Sequence, residues 1–349
     1  MIIDTLKKYS SEKSLQLGKL KIFHIKFLWE RKVLKYEADK SNEHLLNQLD
    51  YFVLDELNIP IEKIISYLYT KRPDFSEFED WVLSWHDGFI FPELVKKIND
   101  TVTDFINNGQ QNYPSKTISD DPIFSGEEIE FWNKNGYIVL KNAIDKKECK
   151  ELELAIWNHL ELSPNEPQNW DKSKDRFWLK DFEHPLLSKN RNSKNIYRAF
   201  KQLWGTDKLF TAIDRISFNP PLDEKIKDYG PNNIHWDISL SQPVPFDIFG
   251  MLYLNDIKEE QGAFQCIPGF QNKIHTWLDS LDENTNPRDE ILQDKYKLDI
   301  SKISAKAGDF ILCNQSLPHS SSLNRGDYPR FVHYMDMYPP NRYINPVWK

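Results

Sequence analysis

His235 and Asp237 stand two residues apart in a short segment, residues 233–238, that has the pattern of a β-strand. Side chains at positions i and i+2 of a strand project from the same face, so an imidazole and a carboxylate would point at one spot. A second histidine in a strand-like context, His319, follows far downstream. A site built from all three side chains requires a fold that brings two distant segments next to each other.

Two histidines and one carboxylate are the ligands with which many proteins hold non-haem Fe(II), because three protein ligands leave positions open for substrates and dioxygen. His235 alone would more often be a structural histidine than a metal ligand. Beyond His319, Arg330 opens the strand-like run of residues 330–334. An arginine can bind a buried dicarboxylate through paired, charge-assisted hydrogen bonds. The combination therefore favours a metal site with an anionic co-substrate.

These residues, taken together with the segment Gly262–Gly269, the turn Ala307–Asp309 and Asn324, resemble the phytanoyl-CoA dioxygenase-like family of Fe(II)/2-oxoglutarate oxygenases. The resemblance extends from about residue 127 to about residue 338. It implies an α+β fold in which flanking helices surround a catalytic domain of the double-stranded β-helix, or jelly-roll, type. It also implies that the protein uses Fe(II), 2-oxoglutarate and O2.

The resemblance assigns roles to individual residues. The implied metal ligands are His235, Asp237 and His319, and the implied contacts of 2-oxoglutarate are Arg330, Ser321 and Met251. Family relatives that halogenate lack the metal-binding carboxylate, so the presence of Asp237 favours hydroxylation, with 2-oxoglutarate converted to succinate and CO2.

Three further residues are candidates for substrate binding, and each has a simpler interpretation. Trp178 lies in the polar, aromatic-rich residues 162–195, which form either a lid over the site or a surface insertion. Arg215 would bind an anionic group of the substrate, or form an ion pair with a carboxylate such as that of Asp214. Trp236 should face away from the metal ligands by strand alternation, unless the loop geometry returns it to the rim of the site.

Residues 1–115 are predicted to form an all-α domain, and residues 116–349 the oxygenase domain. No glycine occurs between Gly18 and Gly88, and helix start and stop signals recur. One helix is predicted to begin at Pro92 and end at Gly109, and a capping box is predicted at Ser76 and Glu79. The polar composition of residues 107–125 indicates a linker between the domains.

Composition limits the class of partner. The net charge of −8 disfavours a nucleic acid, since proteins that bind its backbone usually carry a basic excess. No apolar run is long enough to span a membrane, and the first residues lack the pattern of a signal peptide. The three cysteines lie far apart in apolar runs, so buried free thiols in a cytoplasmic protein are expected.

Three functions are consistent with these patterns. The first is hydroxylation of a small organic substrate, an amino-acid-like or natural-product precursor that is free or tethered to a carrier or to CoA. The second is modification of a protein or peptide that docks on the N-terminal helical domain. The third is a non-catalytic protein that keeps the fold and acts as an interaction module.

Overall fold

The computed structural model describes residues 17–34, 43–114, 120–172, 178–179, 182–213, 215–222, 234–293 and 298–349. Some predictions fall outside these ranges: they concern residues 214 and 233 and the domain boundary at 115–116. The chain forms two compact units. The first consists of Met1–Tyr113, Lys208–Ile213 and Tyr338–Pro346, and the second of Pro114–Asp207, Asp214–Met337 and Val347–Lys349.

The described part of the first unit contains helices α1 (Ile25–Val33), α2 (Glu43–Glu56), α3 (Ile61–Lys71), α4 (Phe75–Ser84) and α5 (Pro92–Asn108). Their apolar faces form one buried cluster. The predicted helix bounds of α5 are confirmed. Pro92 occupies its first turn, and Gly109 ends it with φ 67° while its N–H donates to the Phe105 carbonyl.

The start of α4 differs from the prediction. The capping box consists of Asp74 and Glu77, two residues before the predicted pair Ser76 and Glu79. Glu79 is buried instead, and one of its carboxylate oxygens accepts a hydrogen bond from the Leu20 N–H at 3.0 Å. Both pairs of residues fit the capping pattern. Because the Glu79 carboxylate accepts the hydrogen bond from Leu20, it does not cap the helix.

Two later segments of the chain complete the first unit. They contribute strand β2 (Phe210–Thr211) and most of the segment that begins with strand β10 (Met337–Tyr338). The Phe210 ring packs edge-on against Phe52, with ring centroids 4.5 Å apart, and the Tyr338 hydroxyl donates to Asp55 at 2.5 Å. A contiguous prediction of residues 1–115 does not include these segments, because their contacts join positions far apart in the sequence.

The second unit is a mixture of helices and antiparallel sheets, which agrees with the predicted α+β class. Its helices are α6 (Gly126–Asn135), α7 (Lys146–His159), α8 (Pro185–Arg191), α9 (Lys194–Trp204), α10 (Ile274–Asp279) and α11 (Pro287–Glu290). Its remaining strands are β1 (Tyr137–Leu140), β3 (Ile216–Asn219), β4 (Ile248–Tyr253), β5 (Phe264–Cys266), β6 (Ser301–Ile303), β7 (Phe310–Asn314), β8 (His319–Ser321) and β9 (Arg330–Tyr334).

Two sheets of this unit share one apolar interior. The larger has the strand order β1-β7-β4-β9-β3 and the smaller β6-β5-β8. Met251 and Ile311 from the larger sheet belong to the same buried cluster as Phe264 and Cys266 from the smaller. Since alternate side chains of each strand face this cluster, polar residues in the same alternation are also directed into the interior.

The predicted turn at Ala307–Asp309 leads into β7 and depends on glycine. Gly308 has φ 87°, and a Cβ at this position would lie 2.2 Å from the Ile144 carbonyl oxygen. The buried Asp309 carboxylate accepts hydrogen bonds from the Lys141 ammonium, at 2.9 Å, and from the Asn142 N–H, at 3.0 Å. The turn therefore fixes the start of the strand through both backbone shape and charge.

In the part of the chain that the structure describes, no helix has the length and apolar character needed to cross a membrane.

The three cysteines are free and buried, which confirms the prediction. Burial raises the pKa of Cys149 and of Cys266 to about 12, and that of Cys313 rises well above its ordinary value. Because the thiolate is the reactive form, native protein at pH 8 should react with Ellman's reagent hundreds of times more slowly than free cysteine. All three thiols should react in denaturant. Rapid reaction of the native protein would contradict the buried placement.

Candidate metal centre

Strand β8 places His319 in the interior of the second unit. Cys266 and Phe264 of β5 pair with His319 and Ser321 in antiparallel register. On the other edge of β8, His319 forms an isolated bridge with His235, with two backbone hydrogen bonds of 2.9 and 3.0 Å. The two histidines that the sequence separates widely are therefore direct cross-strand neighbours.

The segment around His235 is not the regular strand that its sequence pattern predicts. Among the described residues 234–238, only His235 takes part in a β-bridge, and Asp237 lies in a bend. The apolar residues Ile234, Trp236 and Ile238 are buried in a separate cluster with Ile274 and Ile291. The alternation thus reflects burial of an irregular segment on one side, and the two polar side chains remain on the other.

The side chains of His235, Asp237 and His319 converge. Each offers a ligand atom, and these three atoms lie within 4.8 Å of one another. Nε2 of His319 is 3.1 Å from one Asp237 carboxylate oxygen, and Nε2 of His235 is 3.8 Å from the other. The hydrogen bond with His319 holds the pKa of Asp237 below its ordinary value against the effect of burial, and the charges of His235 and Arg288 act in the same direction.

The orientation of the His319 ring is fixed on both sides. Its Nδ1 lies 2.9 Å from the Leu317 carbonyl oxygen, so Nδ1–H donates there and Nε2 is directed at Asp237. The Phe249 ring packs against the imidazole with centroids 4.6 Å apart. A hydrogen bond of this type, donated by the second ring nitrogen, is the usual way in which proteins orient a metal-binding histidine. The donor set of two imidazoles and one carboxylate fits Fe(II).

Arg330 is almost fully buried, at 1% exposure, in the interior between the two sheets. Its Nη1 donates to the Ser321 hydroxyl at 3.0 Å, and its Nη2 lies 3.5 Å from the Tyr334 hydroxyl. Its Nε–H has no acceptor, and no carboxylate among the described residues forms an ion pair with it. Since a buried charge is costly unless it is paired, this guanidinium is suited to bind a carboxylate.

The other two residues predicted to contact 2-oxoglutarate lie beside Arg330. Ser321 lies in β8, two residues after His319 on the same face of the strand, and its hydroxyl accepts the hydrogen bond from Arg330. The Met251 sulfur lies 3.9 Å from Nη2 of Arg330. The structure therefore brings together all three predicted residues, in a group next to the three predicted metal ligands.

Of the three substrate candidates, Trp178 and Arg215 lie close to each other. The Arg215 guanidinium stands over the Trp178 ring, 5.8 Å from its centroid, and the ring of Trp178 packs against Tyr334 at 5.1 Å. Trp178 is 44% exposed, and Arg215 is exposed as well. Tyr334 thus connects these two solvent-facing side chains to the buried Arg330.

Trp236, the third substrate candidate, is buried in an apolar cluster and does not face the site. The indole is 2% exposed, stacks on Trp277 at 5.9 Å, and donates from Nε1 to the Ser316 carbonyl at 3.0 Å. It belongs to the apolar cluster on the far side of the ligand segment. Trp236 therefore faces away from the metal ligands, which is the orientation that alternation of side chains predicts.

Four residues that shape the site were not predicted from the sequence: Tyr253, Tyr334, Phe249 and Arg288. Tyr253 lies beneath the Arg330 guanidinium at 5.6 Å, and Tyr334 and Phe249 make the contacts given above. Strand alternation could have found the aromatic residues, because they share a face with Met251 or with Arg330. No sequence signal identifies Arg288, which donates hydrogen bonds to backbone carbonyls.

Comparison with known proteins agrees with this geometry. The sequence model of the phytanoyl-CoA dioxygenase family matches residues 132–332. A protein of Dictyostelium discoideum that is provisionally named a phytanoyl-CoA dioxygenase is 22% identical over 60% of this chain and 74% of its own length.

Two solved structures are also similar. EctD from S. alaskensis, solved with 2-oxoglutarate and 5-hydroxyectoine, is 16% identical over 66% of this chain and 81% of its own, with a TM-score of 0.46. SnoK, a non-haem alpha-ketoglutarate-dependent carbocyclase from nogalamycin biosynthesis, is 18% identical over 62% and 86% of the two chains, with a TM-score of 0.43.

Proposed function

Since the chain belongs to the phytanoyl-CoA dioxygenase family, whose pattern matches more than half of it, we propose that it hydroxylates an unactivated C–H bond of a small organic anion. The protein is an Fe(II)/2-oxoglutarate-dependent dioxygenase, and O2 is its second co-substrate. We further propose that the antiparallel sheets within residues 116–349 form a double-stranded β-helix, and that the helices within residues 1–115 form a separate domain together with the later segments of the first unit. The two antiparallel sheets with a common interior support the first of these assignments.

We assign the metal to His235, Asp237 and His319, whose ligand atoms lie within 4.8 Å of one another. When bound, Fe(II) and 2-oxoglutarate would supply the oxidising chemistry, in which O2 converts the 2-oxo acid to succinate and CO2 and adds one oxygen atom to the substrate. Asp237 supports hydroxylation in particular, because as a ligand it would take the coordination position that halogenating relatives leave open.

The observation that carries the proposal is the buried Arg330 beside Ser321. Ser321 follows His319 by two residues on the same strand, which corresponds to about 6.6 Å of extended chain. A five-carbon dicarboxylate held at the metal ligands would have its other carboxylate available for Arg330 and Ser321. A charge-assisted hydrogen bond would then satisfy the Arg330 Nε–H, which has no acceptor among the described residues.

The residues around this site bind and orient rather than transfer protons. Phe249 and the Leu317 carbonyl hold the His319 ring, and Tyr253 and Tyr334 flank the Arg330 guanidinium. Met251 belongs to the apolar cluster between the two sheets, beside Arg330. This chain therefore contributes position, while the cofactor contributes the reactivity.

Arg215 and Trp178 support an anionic substrate. The exposed Arg215 guanidinium lies over the indole, and Tyr334 links the pair to the interior group around Arg330. An amino-acid-like carboxylate and the phosphate of a CoA or carrier conjugate both have the required charge. An acidic group that binds at Arg215 would bring the body of the substrate against the exposed Trp178 ring.

The experiment is a screen for succinate release from 2-oxoglutarate, with carboxylates and acyl conjugates compared with their neutral amides and esters. The anionic members should support turnover and the neutral ones should not. A peptide library that supports faster succinate release than every small molecule would favour the alternative of a protein-modifying oxygenase. A carrier-tethered substrate that outperforms its free form would support docking by the N-terminal domain.

For the best substrate of that screen, Arg215→Met should raise KM about tenfold or more, because the charge-assisted hydrogen bonds are lost. Arg215→Lys, which retains the charge without the fork, should have an intermediate KM. The KM for 2-oxoglutarate should remain unchanged in both variants. An unchanged substrate KM in Arg215→Met would contradict the anion-binding role.

We also propose that the protein is cytoplasmic. The free state of its three cysteines supports a reducing compartment.

A further inference from the structure

The segment that carries His235 and Asp237 has little regular secondary structure to hold it. On one side, the backbone of His235 pairs with that of His319. Asp237 itself lies beyond this bridge, in a bend. A carboxylate in a bend has more conformational freedom than one in a paired strand, so another contact is needed to hold it in one place.

Arg288 makes that contact. Its Nη1 donates to the Trp236 carbonyl at 2.6 Å, and its Nη2 donates to the Ile238 carbonyl at 2.8 Å. These two carbonyls lie on either side of Asp237 in the sequence. A single guanidinium therefore bridges the backbone before and after the residue whose carboxylate faces the two histidines.

The guanidinium is itself held in one orientation. Nη2 also donates to the Lys349 carbonyl oxygen at 3.1 Å, and the Trp348 ring lies against the guanidinium carbon at 4.9 Å. The backbone N–H of Arg288 donates to the side chain of Asn286, which caps the short helix α11. Arg288 thus has fixed contacts at both its backbone and its head group.

Bridging of this kind restrains the backbone of Asp237. The carbonyl of residue 236 belongs to the peptide plane that precedes Asp237, and the carbonyl of residue 238 belongs to the plane that follows Ile238. The two hydrogen bonds therefore restrain the backbone on both sides of residues 237 and 238, and with it the direction of the Asp237 Cα–Cβ bond. Each bond is charge-assisted and so is about twice as strong as a neutral hydrogen bond. A lysine could not replace the arginine, because its ammonium is a point charge without a planar fork.

We propose that Arg288 is a positioning residue for the metal centre: it fixes the carboxylate of Asp237 in the orientation that coordinates the metal. The inference rests on the proposed function, since it takes Asp237 to be a ligand. It assigns no contact between Arg288 and the metal, the substrate or 2-oxoglutarate. Its effect should therefore appear in metal affinity and coordination geometry, with no substrate or co-substrate present.

The test compares wild-type protein with Arg288→Met, Arg288→Lys and Asp237→Ala. Arg198→Met is the matched control, because Arg198 lies in the same unit and also donates to a backbone carbonyl, that of Pro122, and to a carboxylate, that of Asp121. Each protein is titrated with Co(II) in the absence of oxygen. The dissociation constant and the visible absorption spectrum of bound Co(II) are measured, with thermal unfolding of the metal-free protein as the test of folding.

Arg288→Met should weaken Co(II) binding about 10- to 100-fold, the range typical of residues that orient a metal ligand, and it should change the spectrum. Arg288→Lys should fall between this variant and wild type. Arg198→Met should bind like wild type, and Asp237→Ala should show the largest loss. Lower thermal stability alone would leave the spectrum of bound Co(II) unchanged, so the spectrum separates positioning from a purely structural role.

Wild-type affinity and spectrum in Arg288→Met, together with defective Asp237→Ala, would overturn the positioning role alone. Wild-type binding by Asp237→Ala would overturn the metal assignment and this inference with it. If Arg288→Met does not fold, Arg288→Lys decides the question. A wild-type affinity for Co(II) and a wild-type spectrum in that variant would refute the need for hydrogen bonds from both Nη1 and Nη2.

Discussion

Replacing His319 with alanine is expected to abolish the conversion of 2-oxoglutarate to succinate. The variant loses an imidazole whose Nε2 lies 3.1 Å from Asp237 and whose Nδ1 is anchored to the Leu317 carbonyl. Loss of residues that merely orient a ligand typically costs 10- to 100-fold in affinity or activity, so loss of the ligand itself should reduce turnover by more than about 100-fold. Succinate formation with Fe(II), 2-oxoglutarate and substrate is the measurement.

His275→Ala is the matched control for this variant. His275 is an exposed histidine of the same unit, and Gln242 is its hydrogen-bond partner. Its replacement should leave succinate formation at the wild-type rate. A folded His319→Ala protein that turns over at the wild-type rate would refute the assignment of the metal to the three converging side chains.

The second large effect is expected for Arg330→Met, in the affinity for 2-oxoglutarate. Removing one partner of a buried charge pair costs about 2–5 kcal/mol, which corresponds to roughly 30-fold or more in KM for 2-oxoglutarate. Arg330→Lys should be intermediate, because an ammonium cannot bind the carboxylate through two parallel hydrogen bonds. Arg198→Met should keep the wild-type KM.

The stability of the same variant should change in a way that depends on the ligand. In the absence of 2-oxoglutarate, Arg330→Met should have a Tm equal to or above that of wild type, because an unpaired buried charge is replaced by an apolar side chain of similar length. With 2-oxoglutarate at about 100 times its Kd, wild-type protein should gain about 2.7 kcal/mol and the variant should gain little. Equal stabilisation of both proteins would contradict the assignment of Arg330 to the co-substrate.

The predicted metal ligands and the predicted contacts of 2-oxoglutarate both depend on the resemblance to a family. His235, Asp237 and His319 were identifiable because their chemistry is distinctive and the resemblance to a family supplied their order along the chain. Arg330 and Ser321 followed from the same resemblance, and the structure places their polar atoms 3.0 Å apart. Ligand roles for these residues remain predictions that the variants above will test.

Local signals also predicted both ends of one helix. Pro92 and Gly109 bound α5, because these residues act within one turn of their own position. The same kind of signal failed at α4, where two overlapping capping patterns compete. Burial of Glu79 against the Leu20 N–H, a tertiary contact, selects Asp74 and Glu77.

By itself, the sequence determined the residue types available to the site and the mixture of helix and strand, since these depend on composition and short-range periodicity; the resemblance to a family implied the roles of the site residues. Tertiary structure alone decided that residues 208–213 and 338–346 join the N-terminal unit, that Trp236 packs in a core, and that Arg288 holds the Asp237 segment. The reason is physical: each of these contacts joins residues distant in the chain, and the partners of Arg288 are backbone carbonyls, which every residue possesses.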